Sequence, residues 1–292
     1  MDERVIKNRL MVLAVMVTAL VLAWWPEISL KPIGPPVCDS NVLCVVFLDV
    51  GQGDAIFIQS PGGKQMLIDS GRDSSVLRQL SKVMSFSDRD IDYVLVTHPD
   101  ADHIGGLAVV LDRFDVSNVI RTENESETGV WKLVVRKIEE EGGEVHFARR
   151  GQRYDLGHNV YLEILFPDID ASELESNTSS IVARLVYGDT AFMLTGDSPK
   201  SIEEYLVLVE GEKLESDVLK AGHHGSHTST SELFLVEVDP EYAVISAGAD
   251  NSYGHPHIEV TDALFNFGVT TLRTAENGKV VFWSDGENVT LK

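Results

Sequence analysis

"VTHPDADHIGG", residues 96–106, sets two histidines and two aspartates within six positions and then turns on a pair of glycines. The run leading into it, "YVLVTH", is apolar and β-branched and reads as a strand that delivers His98 at its carboxyl end. His98, Asp100, Asp102 and His103 then project from one tight turn. Gly105 and Gly106 let the next helix, "HIGGLAVVLDRF", begin close beneath that turn, where side chains would obstruct the backbone. Imidazoles and carboxylates at this density are metal-ligand types. Taken alone, the string is also compatible with an acid-rich surface turn.

Other strand ends repeat the theme. "LTGD" stops on Asp197, "LKAGHHGSHTS" presents His223 and His224, and "NSYGHPH" places His255 and His257 just after "AVISAG". Seven of the nine histidines, all except His146 and His158, fall in these two segments and the opening one, and random surface histidines do not cluster so. His98, Asp100, Asp102, His103, Asp197, one of His223 and His224, and His255 suit two cations that share a bridging carboxylate.

The surrounding pattern sets the fold expectation. "VVFLDV", "DAIFIQS" and "KQMLID" are short β-rich runs separated by "GQG" and "SPGG", and residues 74–86 have helical spacing. Strand, helix and strand follow in "NVIR", "TGVWKLVVRKIEEEG" and "EVHFA". A second run of strands passes through "VYLEILFP", "SIVARLVYG" and "TAFMLTGD". Helices at 199–209, 230–237 and 257–267 then alternate with strands at 216–220 and 242–246, and "TTLRT", "KVVFWS" and "NVTLK" close the chain. Two strand-rich halves with helices outside predict an α/β sandwich, two packed sheets covered on both outer faces.

Composition bounds the partners. The chain has 292 residues, 43% of them hydrophobic, enough for one large domain or two small ones. Lys and Arg number 24 against 46 Asp and Glu, a net charge of -22, so a polyanion must be received by a local basic patch or by metal ions. Tight non-specific nucleic-acid binding is disfavoured. Cys38 and Cys44 match neither a redox CxxC motif nor a zinc ribbon. A structural or unpaired role is expected of them, with a single extracellular disulfide as the alternative.

"LMVLAVMVTALVLAWW", residues 10–25, carries no charge and follows Arg4, Lys7 and Arg9. It reads as an uncleaved single-pass anchor with its basic end in the cytoplasm; a cleaved signal segment, giving a secreted product, and a buried helix are the rivals. The expected division is therefore an anchor over 1–26, a Pro-rich linker over 27–42 and a globular domain over 43–292, outside the membrane.

"FLDVGQGDAIFIQSPGGKQMLIDSG", "HPDADHIGG", "NTSSIVARLVYGDTAFMLTGD", "LKAGHHGSHTS" and "SYGHPH" occur in the order seen in the metallo-β-lactamase superfamily, and the chain resembles in particular the C-terminal domain of ComEC-type DNA-uptake competence proteins. The resemblance implies a four-layer αββα sandwich, here preceded by one N-terminal hydrophobic helix, with a two-metal site at one sheet edge. It places His98 and Asp100 on one metal and Asp102 and His103 on the other, with Asp197 bridging and the histidines of "HHGS" and "GHPH" closing the shells. His223 is preferred over His224.

The superfamily's commonest motif has a histidine where this chain has Asp100, an acid the ComEC subgroup shares. Where many superfamily hydrolases supply a ligating histidine, "NTSS" offers Asn177 and Ser180. Three carboxylates and one hydroxide would cancel two divalent cations, and an added carboxylate moves preference from zinc toward manganese without excluding zinc. Asp54 and Asp69 are expected to orient ligand histidines from behind, unless they merely cap turns. Asp102 and Asp197 are expected to carry catalysis through the cations. Lys220 is expected to neutralise a substrate phosphate, with a solvated strand lysine as the plain alternative, and Arg149 and Arg150 read as a surface pair.

The resemblance thus implies a metal-dependent phosphodiesterase or nuclease acting on DNA outside the membrane, connected with DNA uptake through a separate channel protein. One rival is a hydrolase of a lactone, a phosphorylcholine ester or another small ester. The other is a non-catalytic DNA-binding partner of the channel.

Overall fold

The computed structural model describes residue 11 and residues 37–292. Apart from Met11, the segment read as an anchor and the linker up to residue 36 lie outside the described residues, among which no helix is long and apolar enough to cross a membrane. Val37–Lys292 form one compact unit.

Among the described residues, fifteen strands make two sheets. The first contains β1 (Leu43–Phe47), β2 (Ile56–Gln59), β3 (Gln65–Ile68), β4 (Asp90–Leu95), β5 (Asp115–Arg121), β6 (Glu144–Phe147), β14 (Val280–Ser284) and β15 (Val289–Leu291). The second contains β7 (Arg153–Gly157), β8 (Val160–Phe166), β9 (Val182–Tyr187), β10 (Thr190–Leu194), β11 (Val218–Lys220), β12 (Tyr242–Ile245) and β13 (Thr270–Arg273). Their orders are β15-β14-β1-β2-β3-β4-β5-β6 and β13-β12-β11-β10-β9-β8-β7. Strands β3 to β6 run parallel, as do β10 to β13.

Side-chain alternation sorts each strand's residues between three apolar layers. Val45, Phe47, Ile56 and Ile58 of the first sheet meet Leu162, Leu185, Phe192 and Val218 of the second between the sheets. Their neighbours Val46, Phe57, Leu67 and Val94 pack outward on Val76 and Leu80 of α1 (Ser75–Leu80), Ile104 of α2 (Ala101–Ile104), Leu107 and Val110 of α3 (Leu107–Leu111) and Trp131 and Val134 of α4 (Gly129–Glu141). Met193, Leu219 and Ala243 pack on Leu206 of α5 (Lys200–Glu210), Phe234 and Leu235 of α6 (Glu232–Val238) and Leu264 of α7 (Ile258–Asn266). The result is the expected αββα sandwich.

Three local expectations are corrected. The helix expected over 74–86 stops at Leu80. The single helix of "HIGGLAVVLDRF" is two short ones separated by Gly105 and Gly106. There the chain crosses the loop after β3 so closely that a Cβ on Gly105 would lie 1.9 Å from the Arg72 carbonyl oxygen. Strand β7 was not anticipated, because "RYDLG" carries little apolar signal beyond one buried residue, Leu156.

The two cysteines are joined as a Cys38–Cys44 disulfide, which ties residues 37–42 to β1; the unpaired reading is set aside. Trp283 Nε1 also donates to the Val37 carbonyl, at 3.1 Å. Because the loop closed by this bridge is short, replacing both cysteines with serine should lower stability by about 2 kcal/mol on the chain-entropy account. Urea unfolding with and without reductant checks this: the wild type should lose the same increment on reduction, and the double variant should lose nothing further.

Candidate metal centre

Parallel strands align their carboxyl ends, so the loops that leave them gather at one edge. Asp69 follows β3 and His98 to His103 follow β4. Asp197 follows β10, His223 and His224 follow β11, and Ser246 and His255 follow β12. The register puts Leu194 of β10 beside Lys220 of β11, and Lys220 beside Val244 of β12, so three of these loops depart from one level. Gly53 adds Asp54: with φ at +115°, a Cβ there would stand 1.9 Å from the Asp102 carbonyl oxygen, so only glycine lets the "GQGD" turn back onto the "HPDADH" turn.

Asp197 is the centre of the cluster. It is 3% exposed, and its amide donates to Ser180 Oγ at 3.2 Å. Its Oδ1 lies 3.2 Å from His103 Nε2. Its Oδ2 lies 3.4 Å from His224 Nε2, 3.7 Å from His223 Nε2 and 3.9 Å from His98 Nε2. Two subsets share it. In the first, His224 Nε2 is 3.3 Å from His103 Nε2 and 3.4 Å from Asp102 Oδ2. In the second, His98 Nε2 is 3.7 Å from Asp100 Oδ2.

The opposite faces of these imidazoles are held. His103 Nδ1 lies 2.7 Å from Asp69 Oδ2, and Asp69 also accepts from the Thr97 amide at 2.9 Å and from Thr97 Oγ1 at 2.7 Å. His224 Nδ1 lies 2.9 Å from the Ser246 carbonyl oxygen and 3.4 Å from Asp54 Oδ1. His98 Nδ1 contacts Thr97 Oγ1 at 3.0 Å, and His223 Nδ1 contacts Thr228 Oγ1 at 3.1 Å. Ser176 Oγ donates to Asp100 Oδ1 at 2.6 Å. Each ring therefore turns its Nε2 to the centre, the orientation in which a histidine ligates metal.

A divalent ion fits this donor set. His98 Nε2 is buried without a hydrogen-bond partner. Tetrahedral ligands at ordinary zinc distances stand about 3.3–3.5 Å apart, the separation found among His103, His224, Asp102 and Asp197. Asp54, His103, Asp197 and His224, all buried, form the group among the described residues whose donor atoms lie within 4.8 Å of one another. His223 and His224 occupy left-handed backbone at φ of 45° and 55°, strain that the flanking fold sustains to aim both rings at Asp197.

The remaining expected residues fall around this centre. His255 is half-buried at the rim, its ring centroid 5.5 Å from that of His223 and 6.2 Å from that of His224. Asn177 is half-buried in a 3-10 turn, where its carbonyl accepts from the Ser180 amide at 3.1 Å. Arg149 and Arg150 are tied to Glu123 and Glu210.

Lys220 is a correction. It is fully buried, and its Nζ lies 2.7 Å from Asp54 Oδ2 and donates to the Ala221 carbonyl at 2.9 Å. It spans the two sheets as a structural ion pair and cannot receive a substrate phosphate. Thr97, Ser176 and Ser246 were missed. Thr97 adjoins His98 and was open to being read as its neighbour, but a carbonyl such as that of Ser246 leaves no signature in residue type.

Mutual electrostatics favour the charged forms of Asp197, His103 and His224, whereas burial pushes His223 toward its neutral form. Burial alone would raise the Asp197 carboxyl, but His224, His103 and His98 hold it well below the usual carboxylate range. Burial opposes charge on His103 and His224, yet Asp197 and Asp69 lift His103 well above the ordinary histidine value, and Asp197, Asp102 and Asp54 lift His224 to about 9. His255 goes the other way, to about 4, through burial and the nearby His223 and His224.

A raised histidine stabilises the fold fully below its unfolded pKa, and that contribution is lost as pH rises through the folded value. Chelator-treated protein should therefore lose stability between pH 6.5 and about 9. A divalent cation at the same nitrogens should displace protons and flatten that loss. Urea midpoints across this range, with and without chelator, check it; a metal-free protein that becomes more stable on going alkaline would contradict the assignment.

Residues 48–249 match the family described as the metallo-beta-lactamase superfamily. The chain is 30% identical over 262 residues to ComE operon protein 3 of Bacillus subtilis, covering 84% of this chain and 33% of that protein. It is 29% identical over 249 residues to competence protein ComA of Neisseria gonorrhoeae, covering 85% and 33%. The chain thus spans about a third of the length of these relatives. Among solved structures, CmlA, a diiron β-hydroxylase from Streptomyces venezuelae, superposes with a TM-score of 0.53 at 15% identity over 79% of this chain and 52% of that one, a likeness of fold alone.

Proposed function

Because this chain belongs to the metallo-β-lactamase superfamily, we propose that it is a metal-dependent phosphodiesterase that cleaves DNA outside the membrane. The observation that carries the reading is the convergence of four imidazole Nε2 atoms on the buried carboxylate of Asp197. His98, Asp100 and His223 would hold one divalent ion, Asp102, His103 and His224 a second, and Asp197 both. His255 stands at the rim to complete a shell. Bound there, zinc or manganese would supply Lewis acidity toward phosphoryl oxygens and make water a nucleophile near neutral pH.

The protein's own part is positioning. Asp69 fixes the ring of His103, and the Ser246 carbonyl fixes that of His224. Ser176 holds Asp100, and Ser180 holds the backbone under Asp197. None of these groups needs to move as substrate arrives, so the donor geometry is set in advance.

The competence name of the Neisseria gonorrhoeae relative supports a connection with DNA uptake, and with it DNA as the substrate. The disulfide supports an oxidising, extracytoplasmic location, and the uncharged run over residues 10–25 behind Arg4, Lys7 and Arg9 supports a membrane anchor. The deciding experiment supplies zinc or manganese to the full chain and compares single-stranded DNA, a bis-aryl phosphodiester and a lactone. Cleavage of both phosphodiesters is expected. Turnover of the lactone alone would replace this reading with that of a small-ester hydrolase.

A further inference from the structure

A cavity of about 290 Å³ opens on the helix-covered face of the first sheet, between the end of α1 and the starts of β4 and β5. Leu80, Met84 and Phe114 form its buried lining. Arg78, Arg89, Arg113 and Phe86 complete it on the solvent side. Arg89 immediately precedes β4, whereas His98 follows it, so the cavity and the metal centre lie at opposite ends of that six-residue strand, roughly 20 Å of rise apart.

Three arginines are gathered around this one cavity. No carboxylate lines the cavity, and among the described residues none of the three guanidinium groups is within ion-pair distance of one. Elsewhere among the described residues, Arg121, Arg149, Arg150, Arg153 and Arg273 are paired with carboxylates, whereas Arg72, Arg136 and Arg184 are not but stand apart from this cavity. Arg89 donates to the Asp88 backbone carbonyl at 2.7 Å, but none of the three has a carboxylate partner, and in a chain of net charge -22 three such arginines around one concavity form the local basic patch that a polyanion requires. Beside them Phe86 is 79% exposed, with the Arg89 guanidinium 5.6 Å from its ring centroid. An exposed ring stacks on a base, and guanidinium groups bind phosphate oxygens. Paired bases hide their faces, so the combination selects a single strand.

We propose that this cavity is a second binding site, for single-stranded DNA, with a base against Phe86 and neighbouring phosphates on Arg78, Arg89 and Arg113. The choice of DNA rests on the phosphodiesterase reading, but binding here requires no metal. The site would hold a strand at a point remote from the one where it is cut.

The test uses the full chain with chelator present, so that no strand is cut, and follows a labelled short oligothymidylate by fluorescence anisotropy over a salt series. Replacing Arg78, Arg89 and Arg113 together with alanine should weaken binding and make the log-log salt dependence shallower by about 2, from a slope of about 0.7 per phosphate contact. Phe86→Ala should weaken it roughly tenfold while leaving an abasic oligomer unaffected. Unfolding midpoints equal to wild type confirm that these exposed replacements leave the fold intact. Wild-type affinity in both variants would overturn the proposal. So would unchanged DNA binding with lost binding to phosphatidylglycerol vesicles, which would make the patch a lipid contact. If the variants bind like wild type but metal-loaded protein still cuts DNA, this inference fails alone. If binding follows the proposal but no phosphodiester is cut, the catalytic reading fails instead.

Discussion

Asp197→Ala should reduce metal-dependent phosphodiester cleavage by several orders of magnitude while leaving a folded protein. The carboxylate is the single group that all four inward-facing imidazoles share, so its removal takes a ligand from both proposed cations at once. Asp197→Asn should do nearly the same, because it keeps the volume and removes the charge. The three apolar layers do not depend on this side chain, so circular dichroism and cooperative unfolding should persist. Cleavage assays on both variants, with their metal content, check the prediction. Wild-type turnover in either variant would mean that the hydrolysis arises elsewhere.

Lys220→Met should destabilise the protein by about 3–5 kcal/mol, the usual cost of leaving a buried charge without its partner. Asp54 is 1% exposed, and its carboxyl would rise with burial but is held below the usual range chiefly by Lys220 and then by His224. Without the lysine, Asp54 must take up a proton or draw more charge from His224, 3.4 Å away. Removing both partners in Lys220→Met/Asp54→Leu should recover much of the loss, since two apolar side chains then face each other between the sheets. Urea unfolding of the two single variants and the double variant checks this. A cost below about 1 kcal/mol for Lys220→Met would mean that the pair is solvated and the two sheets are not tied there.

What the sequence disclosed and what it hid separate along a physical line. Strands such as "VVFLDV" and "TAFMLTGD" were legible because buried sheets are continuous apolar runs, and "HPDADH" was legible because its ligand types are crowded into one turn. Residues whose role depends on a partner far along the chain were not. "VLK" at residues 218–220 reads as a strand whose lysine meets a substrate phosphate or solvent, and nothing nearby reveals that Asp54, 166 positions earlier, waits across the sandwich. The six-residue separation of Cys38 and Cys44 was equally silent about pairing, which depends on how the segment before β1 folds back. The support of His224 by the Ser246 carbonyl lies in the backbone, where residue identity says nothing. The two histidines of "HHGS", which looked like alternatives, both face Asp197 because a left-handed backbone turns them to the same side.

The most direct test of the two-cation centre is a metal titration of the chelator-treated 292-residue chain, with bound manganese or zinc and phosphodiester cleavage measured on the same samples. Cleavage should be absent without metal, rise with occupancy and level off at two bound ions per chain, and Asp197→Ala should neither fill nor cleave. Full cleavage by protein that holds no metal, or two tightly bound ions in the Asp197→Ala variant, would contradict it.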